Sequence, residues 1–278
     1  MFNFPGRLVA TAAAVVVLGC GTPASPTTPL PAAAAGRHDV SIAAAGVTLG
    51  GILFRPEAAE ARPGIIVLHG WQPAGTNGAA LVEARARRYS EEGYVALALS
   101  MRGWPPSGGA DDCGLRQPDD VARAVEWLGK QPGVNAERIG LVGFSQGGQV
   151  ALLAAARRAP VRAVVAYYPV TDVARWKTTT TNTDIPGYIT AVCEPGGADA
   201  RSPLSRASEI AAPLLLVHGD QDTRVPTEQS TLMLDAVTRA GGTPELLLVP
   251  GAQHGFVAAE EALARPVVDR FLREALGQ

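Results

Sequence analysis

Residues 139–148 read Ile-Gly-Leu-Val-Gly-Phe-Ser-Gln-Gly-Gly. The apolar start is typical of a buried strand, and the residues after Gly148, rich in alanine and leucine, are typical of a helix. Between them, Gly143 and Gly147 lie two positions either side of Ser145, so that no Cβ atoms collide in a sharp strand-to-helix turn. The pattern G-x-S-x-G therefore predicts a turn that lifts the Ser145 hydroxyl above the carboxyl edge of a sheet.

Strands and helices alternate on both sides of this turn. The strand-like segments are 40–43 and 47–54, which form a hairpin, and then 64–68, 94–99, 139–143, 161–167, 214–217 and 245–249. The helix-like segments are 79–92, 119–130, 146–158, 228–240 and 258–276. Continuous apolar strands between amphipathic helices predict an α/β fold, with a mainly parallel sheet and helices on both faces.

Two details of this pattern carry further expectations. Asp119 and Asp120 lie at the start of the helix-like segment that runs to about Lys130, and we expect one of them to be its N-cap. The stretch 172–205 breaks the alternation, because it holds four consecutive threonines and several prolines and glycines. A long irregular connection in a compact domain is usually functional, so we expect a small irregular cap over the site.

The N-terminus has the features of an export signal. Arg7 precedes an apolar run over 8–18 that is too short to span a bilayer, and the run ends in Val-Leu-Gly-Cys. This ending resembles a bacterial lipobox, in which the cysteine, here Cys20, carries lipid. We expect a signal peptide over 1–19, a flexible lipid-anchored linker over 20–36, and a catalytic domain over 37–278.

Export would place the protein in the cell envelope, attached to a membrane through Cys20. The alternative is a plain secretory signal, which would release the protein. In an oxidising compartment the remaining pair, Cys113 and Cys193, is expected to form a disulfide. The alternative for that pair is two unpaired thiols packed as small apolar groups.

Composition excludes some classes of protein. Hydrophobic residues make up 47% of the chain and charged residues 18%, which is typical of a globular protein. The net charge of −2 and the lack of a basic stripe exclude a nucleic-acid partner. No His and Cys cluster has metal-ligand spacing, so we expect neither a metal nor an organic cofactor.

A serine nucleophile needs a base and an acid, which follow it in the order Ser, acid, His around this kind of turn. His254 follows the strand at 245–249 and is the expected base, because His38 and His69 lie too early and His218 shares the loop of the acid. The acid follows the strand at 214–217, where position alone leaves Asp220 and Asp222.

Several motifs together resemble the dienelactone-hydrolase and prolyl-oligopeptidase branch of the α/β hydrolases, over about 47–271. They are His69-Gly70, Arg102-Gly103, the G-x-S-x-G turn, Ser202-Pro203-Leu204, and the run from His218 to Pro226. This resemblance implies an α/β-hydrolase fold. The pattern H-G-x-x-D-x-x-V-P selects Asp222 as the acid and leaves Asp220 to cap its turn.

The resemblance also implies an oxyanion hole made of two backbone N–H groups. One belongs to Gln146, the residue after the nucleophile. The other lies after His69-Gly70, where spacing leaves Trp71 and Gln72 equal and the resemblance favours Trp71. Trp104, Tyr168 and Trp176 are candidates for the lining of the substrate pocket.

These features predict a serine hydrolase that cleaves carboxylic esters through an acyl-enzyme. Dienelactone hydrolases have cysteine where this chain has Ser145, and the oligopeptidases carry a propeller domain for which this chain has no room. A small serine peptidase that cuts short peptides is one alternative, and a non-catalytic surface lipoprotein that uses the fold for binding is another. The sequence leaves the oligomeric state open.

Overall fold

The computed structural model describes residues 34–58 and 60–278. The predicted signal peptide, Cys20 and most of the predicted linker lie outside the described residues. Gly36, the last residue of the predicted linker, is the first residue of a strand. It belongs to the sheet because it pairs with Arg55 at the sheet's edge.

Eight strands form a single sheet within the described residues. They are β1 Gly36–Ala44, β2 Val47–Arg55, β3 Arg62–Leu68, β4 Val95–Leu99, β5 Val134–Phe144, β6 Ala163–Tyr167, β7 Leu214–Gly219 and β8 Glu245–Val249. Their order across the sheet is β1-β2-β4-β3-β5-β6-β7-β8. The pairs β1·β2 and β2·β4 are antiparallel and all others are parallel, which confirms the predicted α/β fold with its hairpin.

Five helices cover the two faces of this sheet. They are α1 Gly78–Glu91, α2 Gln117–Gly129, α3 Gln146–Ala156, α6 Glu228–Arg239 and α7 Ala258–Leu276. Helices α1 and α7 pack on one face, and α2, α3 and α6 pack on the other. Successive side chains of β3 point to opposite faces of the sheet and so contribute to both cores. Ile65 and Val67 face α1 and α7, whereas Ile66 and Leu68 face α2, α3 and α6.

The cap between β6 and β7 is more regular than predicted. It contains two short helices, α4 Val173–Thr179 and α5 Ile185–Tyr188, then one turn of π-helix at Ile189–Cys193 and two 3₁₀ segments at Asp199–Arg201 and Pro203–Glu209. A small apolar cluster lies beneath it, and Trp176 and Ile189 are among its members.

A disulfide joins this cap to the loop between β4 and α2. It links Cys113 to Cys193, with the two Cα atoms 5.2 Å apart. Buried Arg201 supports the same junction, because its guanidinium donates to the carbonyls of Asp112, Pro195 and Gly197. The cap is therefore fastened to the loop between β4 and α2 near the middle of its own length.

The expected N-cap of α2 was wrong. The helix begins at Gln117 with Arg116 as its N-cap. Pro118 favours this earlier start because its ring suits the first turn of a helix, and both aspartates then lie in that first turn. Asp120 points inward instead, where both of its carboxylate oxygens accept hydrogen bonds from Arg102 at 2.6 and 2.7 Å. This pair is almost completely buried.

We predict that Asp120→Ala lowers the free energy of unfolding by about 3 kcal/mol or more, because it leaves the Arg102 guanidinium buried without its partner. Urea denaturation under non-reducing conditions measures the loss. The matched control is Asp119→Ala, whose exposed carboxylate pairs with Arg157 at 3.2 Å and should contribute less than about 1 kcal/mol. Equal losses in the two variants would contradict the assignment.

Candidate active site

Ser145 occupies the turn between β5 and α3, in strained backbone geometry with φ 54° and ψ −115°. Two glycines make this turn possible. A Cβ atom on Gly143 would lie 2.2 Å from the carbonyl oxygen of Gly147, and one on Gly147 would lie 2.5 Å from the carbonyl oxygens of Leu68 and His69. Any side chain at either position would therefore force the turn to open.

His254 lies between Ser145 and Asp222. Its Nε2 is 3.1 Å from Ser145 Oγ, and its Nδ1 is 2.7 Å from Asp222 Oδ2. Because a carboxylate only accepts hydrogen bonds, Nδ1 carries the proton and Nε2 is free to accept from the serine hydroxyl. The three side chains follow the carboxyl ends of β5, β7 and β8, where open α/β sheets build their sites.

Asp222 is buried and rich in hydrogen bonds. Its Oδ1 accepts from the amides of Arg224 and Val225, and its Oδ2 lies 3.4 Å from Nε2 of His218. Burial alone would raise the pKa of Asp222, but the hydrogen bonds from His218 and His254 outweigh it and lower the pKa to about 2. The carboxylate is therefore ionised at neutral pH and accepts the hydrogen bond from His254 Nδ1.

The residues that competed for these roles have other partners. Asp220 Oδ1 accepts a hydrogen bond from the amide of Gly251 at 2.7 Å, which joins the loops after β7 and β8. His218 is fully buried and bonds to Ser230 and Val225. His38 lies in β1, at the edge of the sheet.

The loop after β3 passes next to the nucleophile. A Cβ atom on Gly70 would lie 3.3 Å from Ser145 Cβ and from the carbonyl oxygen of Phe144. The amides of Trp71 and Gln146, the predicted oxyanion donors, have no hydrogen-bond acceptor in the described part of the chain. Both are thus free to bind a ligand oxygen.

A cavity of about 270 Å³ opens over this group of residues. Its wall is mostly apolar and includes Trp71, Leu81, Val82, Phe144, Tyr168, Trp176, Ile185 and Tyr188. Two of the predicted pocket residues, Tyr168 and Trp176, therefore line it. Trp104 does not, since it is 1% exposed and packs beneath the loop, where its Nε1 donates to the carbonyl of Gln72 at 3.0 Å.

Sequence reasoning missed several residues of the cavity. Arg85 belongs to the charged face of α1, yet it lines the cavity, stacks on the Phe144 ring at 4.2 Å and pairs with Glu261. Tyr188 donates its hydroxyl proton to Asp111 at 2.7 Å and contacts the Trp71 ring edge-on. No motif marks these positions, because their placement depends on how α1 and the cap pack.

None of the helices in 34–58 and 60–278 combines the length and apolar composition needed to cross a bilayer. The same residues contain no group of three or more His, Cys, Asp or Glu that could hold a metal ion.

Most of the chain matches the model of one protein family. The model of the family described as "Prolyl oligopeptidase family" matches residues 82–278, which include Ser145, Asp222 and His254. The chain belongs to the prolyl oligopeptidase family. Its ancestry is that of a serine hydrolase with an α/β-hydrolase fold, as the sequence predicted.

Two curated relatives illustrate the range of this ancestry. A putative carboxymethylenebutenolidase of Salmonella typhimurium is 29% identical over 62% of this chain and 61% of its own length. The dipeptidyl-peptidase 5 of Porphyromonas gingivalis is 28% identical over 64% of this chain and 28% of its own. The chain thus spans about three fifths of the first relative and a smaller share of the second.

Solved structures support the fold. A puromycin hydrolase superposes with a TM-score of 0.75 at 21% identity, covering 87% of this chain and 39% of the other. An esterase of Pyrococcus furiosus superposes with a TM-score of 0.70 at 23% identity, covering 86% of this chain and 91% of the other. At these identities the likeness concerns the fold alone.

The burial of His69 makes a prediction about pH. Burial lowers its pKa from 6.5 to about 4, so the folded protein binds this proton less readily than the unfolded chain. Stability should therefore fall as the pH drops from 6.5 to 4. Between pH 7 and pH 4.5, the free energy of unfolding measured with urea should fall by roughly 2–3 kcal/mol more in the wild type than in His69→Asn. Equal losses would contradict the neutral, buried state of His69.

Proposed function

We propose that this protein hydrolyses carboxylic esters through a covalent acyl-enzyme on Ser145. The observation that carries the proposal is the continuous hydrogen-bonded chain from Ser145 through His254 to the ionised Asp222. Family membership supports hydrolase chemistry in general, and the site supports this form of it.

In the first step His254 Nε2 takes the hydroxyl proton of Ser145 as Oγ attacks the carbonyl carbon. Asp222 stabilises the imidazolium that results, and His254 then passes the proton to the leaving alcohol. In the second step His254 Nε2 takes a proton from the water that attacks the acyl carbon. It then returns this proton to Ser145 Oγ as the bond from Oγ to the acyl carbon breaks and the carboxylic acid leaves. The amides of Trp71 and Gln146 bind the oxyanion in both steps, where each donor is worth on the order of 10²–10³ in turnover.

The lining of the cavity favours neutral or anionic esters over peptides with a free amino group. Two arginines, Arg85 and Arg224, contribute to it, whereas no Asp or Glu is among its described lining residues. An aminopeptidase needs a carboxylate that binds the substrate's ammonium group, because a desolvated charge without a partner is costly. Among the small-peptidase alternatives, the lining therefore argues against an aminopeptidase.

The N-terminal sequence supports a location for this activity. The apolar run over 8–18 and the lipobox-like ending at Cys20 fit export followed by lipid attachment. The proposal therefore places the hydrolase in the cell envelope, with the linker between Cys20 and the catalytic domain as a tether.

We predict that the wild type hydrolyses p-nitrophenyl esters and that Ser145→Ala loses on the order of 10⁶ in turnover, because no other group replaces the nucleophile. Release of p-nitrophenol from the acetate to laurate esters measures both activity and the usable length of the cavity. Ser205→Ala, which changes an exposed serine of the cap, is the matched control and should retain full activity.

A second panel separates the esterase from the peptidase. It compares aminoacyl p-nitroanilides and p-nitrophenyl esters, each with a free and with an acetylated amino group. The proposal expects the esters to be cleaved faster than the anilides, and it expects esters with an acetylated amino group to be cleaved faster than those with a free one. Preferential cleavage of the free-amine anilides would favour the peptidase, and inertness toward all compounds would favour the binding protein.

A further inference from the structure

His69 lies under the oxyanion loop without reaching the cavity's reacting atoms. It is 1% exposed, and both ring nitrogens have partners. Its Nε2 lies 3.0 Å from the amide nitrogen of Met101, and its Nδ1 lies 2.8 Å from the carbonyl oxygen of Gly70. Since an amide can only donate, Nε2 accepts, and Nδ1 carries the proton that is donated to Gly70.

Trp104 approaches the same loop from the turn after β4. Its indole Nε1–H, the only polar group of the side chain, donates to the carbonyl of Gln72 at 3.0 Å. The rings of Trp104 and His69 meet edge-to-face with their centroids 5.0 Å apart. The turn that carries Trp104 is fixed in turn, because Ser100 Oγ donates to the carbonyl of Trp104 at 2.7 Å.

These two bonds have a consequence for the peptide between them. In a trans peptide the C=O and N–H groups point in opposite directions, and the carbonyl of Gly70 belongs to the same peptide as the N–H of Trp71. Because His69 draws that carbonyl into the core, the N–H of Trp71 must point away from the core. Gly70 lies against Ser145, so the peptide that carries this N–H lies beside the nucleophile.

We propose that His69 and Trp104 are positioning residues that orient the Trp71 amide for oxyanion binding. The inference rests on the proposed function, since it assigns the orientation of an oxyanion donor to a residue pair beneath the loop. His69 sets the plane of the Gly70–Trp71 peptide, and Trp104 holds the next turn of the chain through Gln72. Together they fix a loop whose central side chain, Trp71, is 44% exposed and has little packing of its own.

The surroundings leave His69 no room to move. A Cβ atom on Gly78, the first residue of α1, would lie 2.3 Å from His69 Nε2 and 2.6 Å from Ser100 Oγ. The imidazole is thus enclosed by the start of α1, the turn after β4 and the oxyanion loop. Such close packing holds the oxyanion donor in place before the substrate arrives, which is the condition for strong transition-state stabilisation.

Kinetics on the full chain test the proposal, with Trp104→Phe and His69→Phe removing one donor each while keeping a ring. The expected result is a fall in kcat of about 10- to 100-fold with KM changed less than about threefold, because the oxyanion forms only after the substrate is bound. His69→Asn retains an N–H donor near the position of Nδ1, so it should recover part of the lost kcat.

A transition-state analogue separates positioning from general damage to the fold. A trifluoromethyl ketone forms a tetrahedral adduct with the serine, and this adduct carries an oxyanion. In the His69 and Trp104 variants its inhibition constant should therefore rise by about the factor by which kcat falls. Inhibition by the alcohol product, which carries no oxyanion, should change little. Trp127→Phe and His38→Gln are matched controls far from the site, and both should behave like the wild type.

Two results would overturn the inference. If the wild type hydrolyses esters and the His69 and Trp104 variants keep its kcat and ketone affinity, the pair does not position the donor. If kcat, ketone affinity and product affinity all fall equally, the pair supports only the fold. A wild type that cleaves no ester and forms no ketone adduct would instead overturn the proposed function, and this inference with it.

Discussion

The close approach of the chain to itself at Ser145 is the constraint on which the site depends. The backbone of the turn is so compact that a Cβ atom on Gly143 would lie 2.2 Å from a carbonyl oxygen of Gly147. Ser145 itself adopts a positive φ, at a cost of roughly 1–3 kcal/mol that the surrounding structure must offset. The result is a hydroxyl that projects above the sheet, where the loops after β3, β7 and β8 converge on it.

The same glycines set the distance between nucleophile and oxyanion loop. Gly147 touches the carbonyls of Leu68 and His69, and Gly70 touches Ser145, so the ends of β3 and β5 are in direct backbone contact. The buried His69 and Trp104 then hold the loop from beneath, and the cap closes over it from above. The disulfide between Cys113 and Cys193 fastens that cap close to the cavity, which Cys113 also lines. The site thus depends on backbone packing as much as on its reactive side chains.

Much of this arrangement was visible in the sequence, and the reasons are physical. Buried parallel strands are continuous apolar runs, so β3, β4 and β6 to β8 were placed within two residues at each end, and α7 was predicted with its correct ends. The polar first half of β5, from Val134 to Arg138, was missed because it has no apolar run. The roles of Ser145 and His254 followed from their positions after strands, whereas Asp222 was selected over Asp220 by the family resemblance. In the structure the three side chains lie in one hydrogen-bonded chain. What the sequence could not give were contacts between distant segments. Trp104 was expected to line the pocket, but its ring packs inward beneath the loop. Arg85 lies on a charged helix face, but its side chain lines the cavity. Asp120 was expected at a helix end, but its carboxylate pairs with Arg102.

The most direct test of the account is the mass of the protein during its first turnover. The wild type is mixed with excess p-nitrophenyl butyrate, quenched in acid within milliseconds to seconds, digested and examined by mass spectrometry. The account predicts a single butyryl adduct on the peptide that contains Ser145, which disappears as substrate is exhausted and does not form in His254→Ala. Turnover without this adduct, or an adduct on another residue that is kinetically competent, would contradict it.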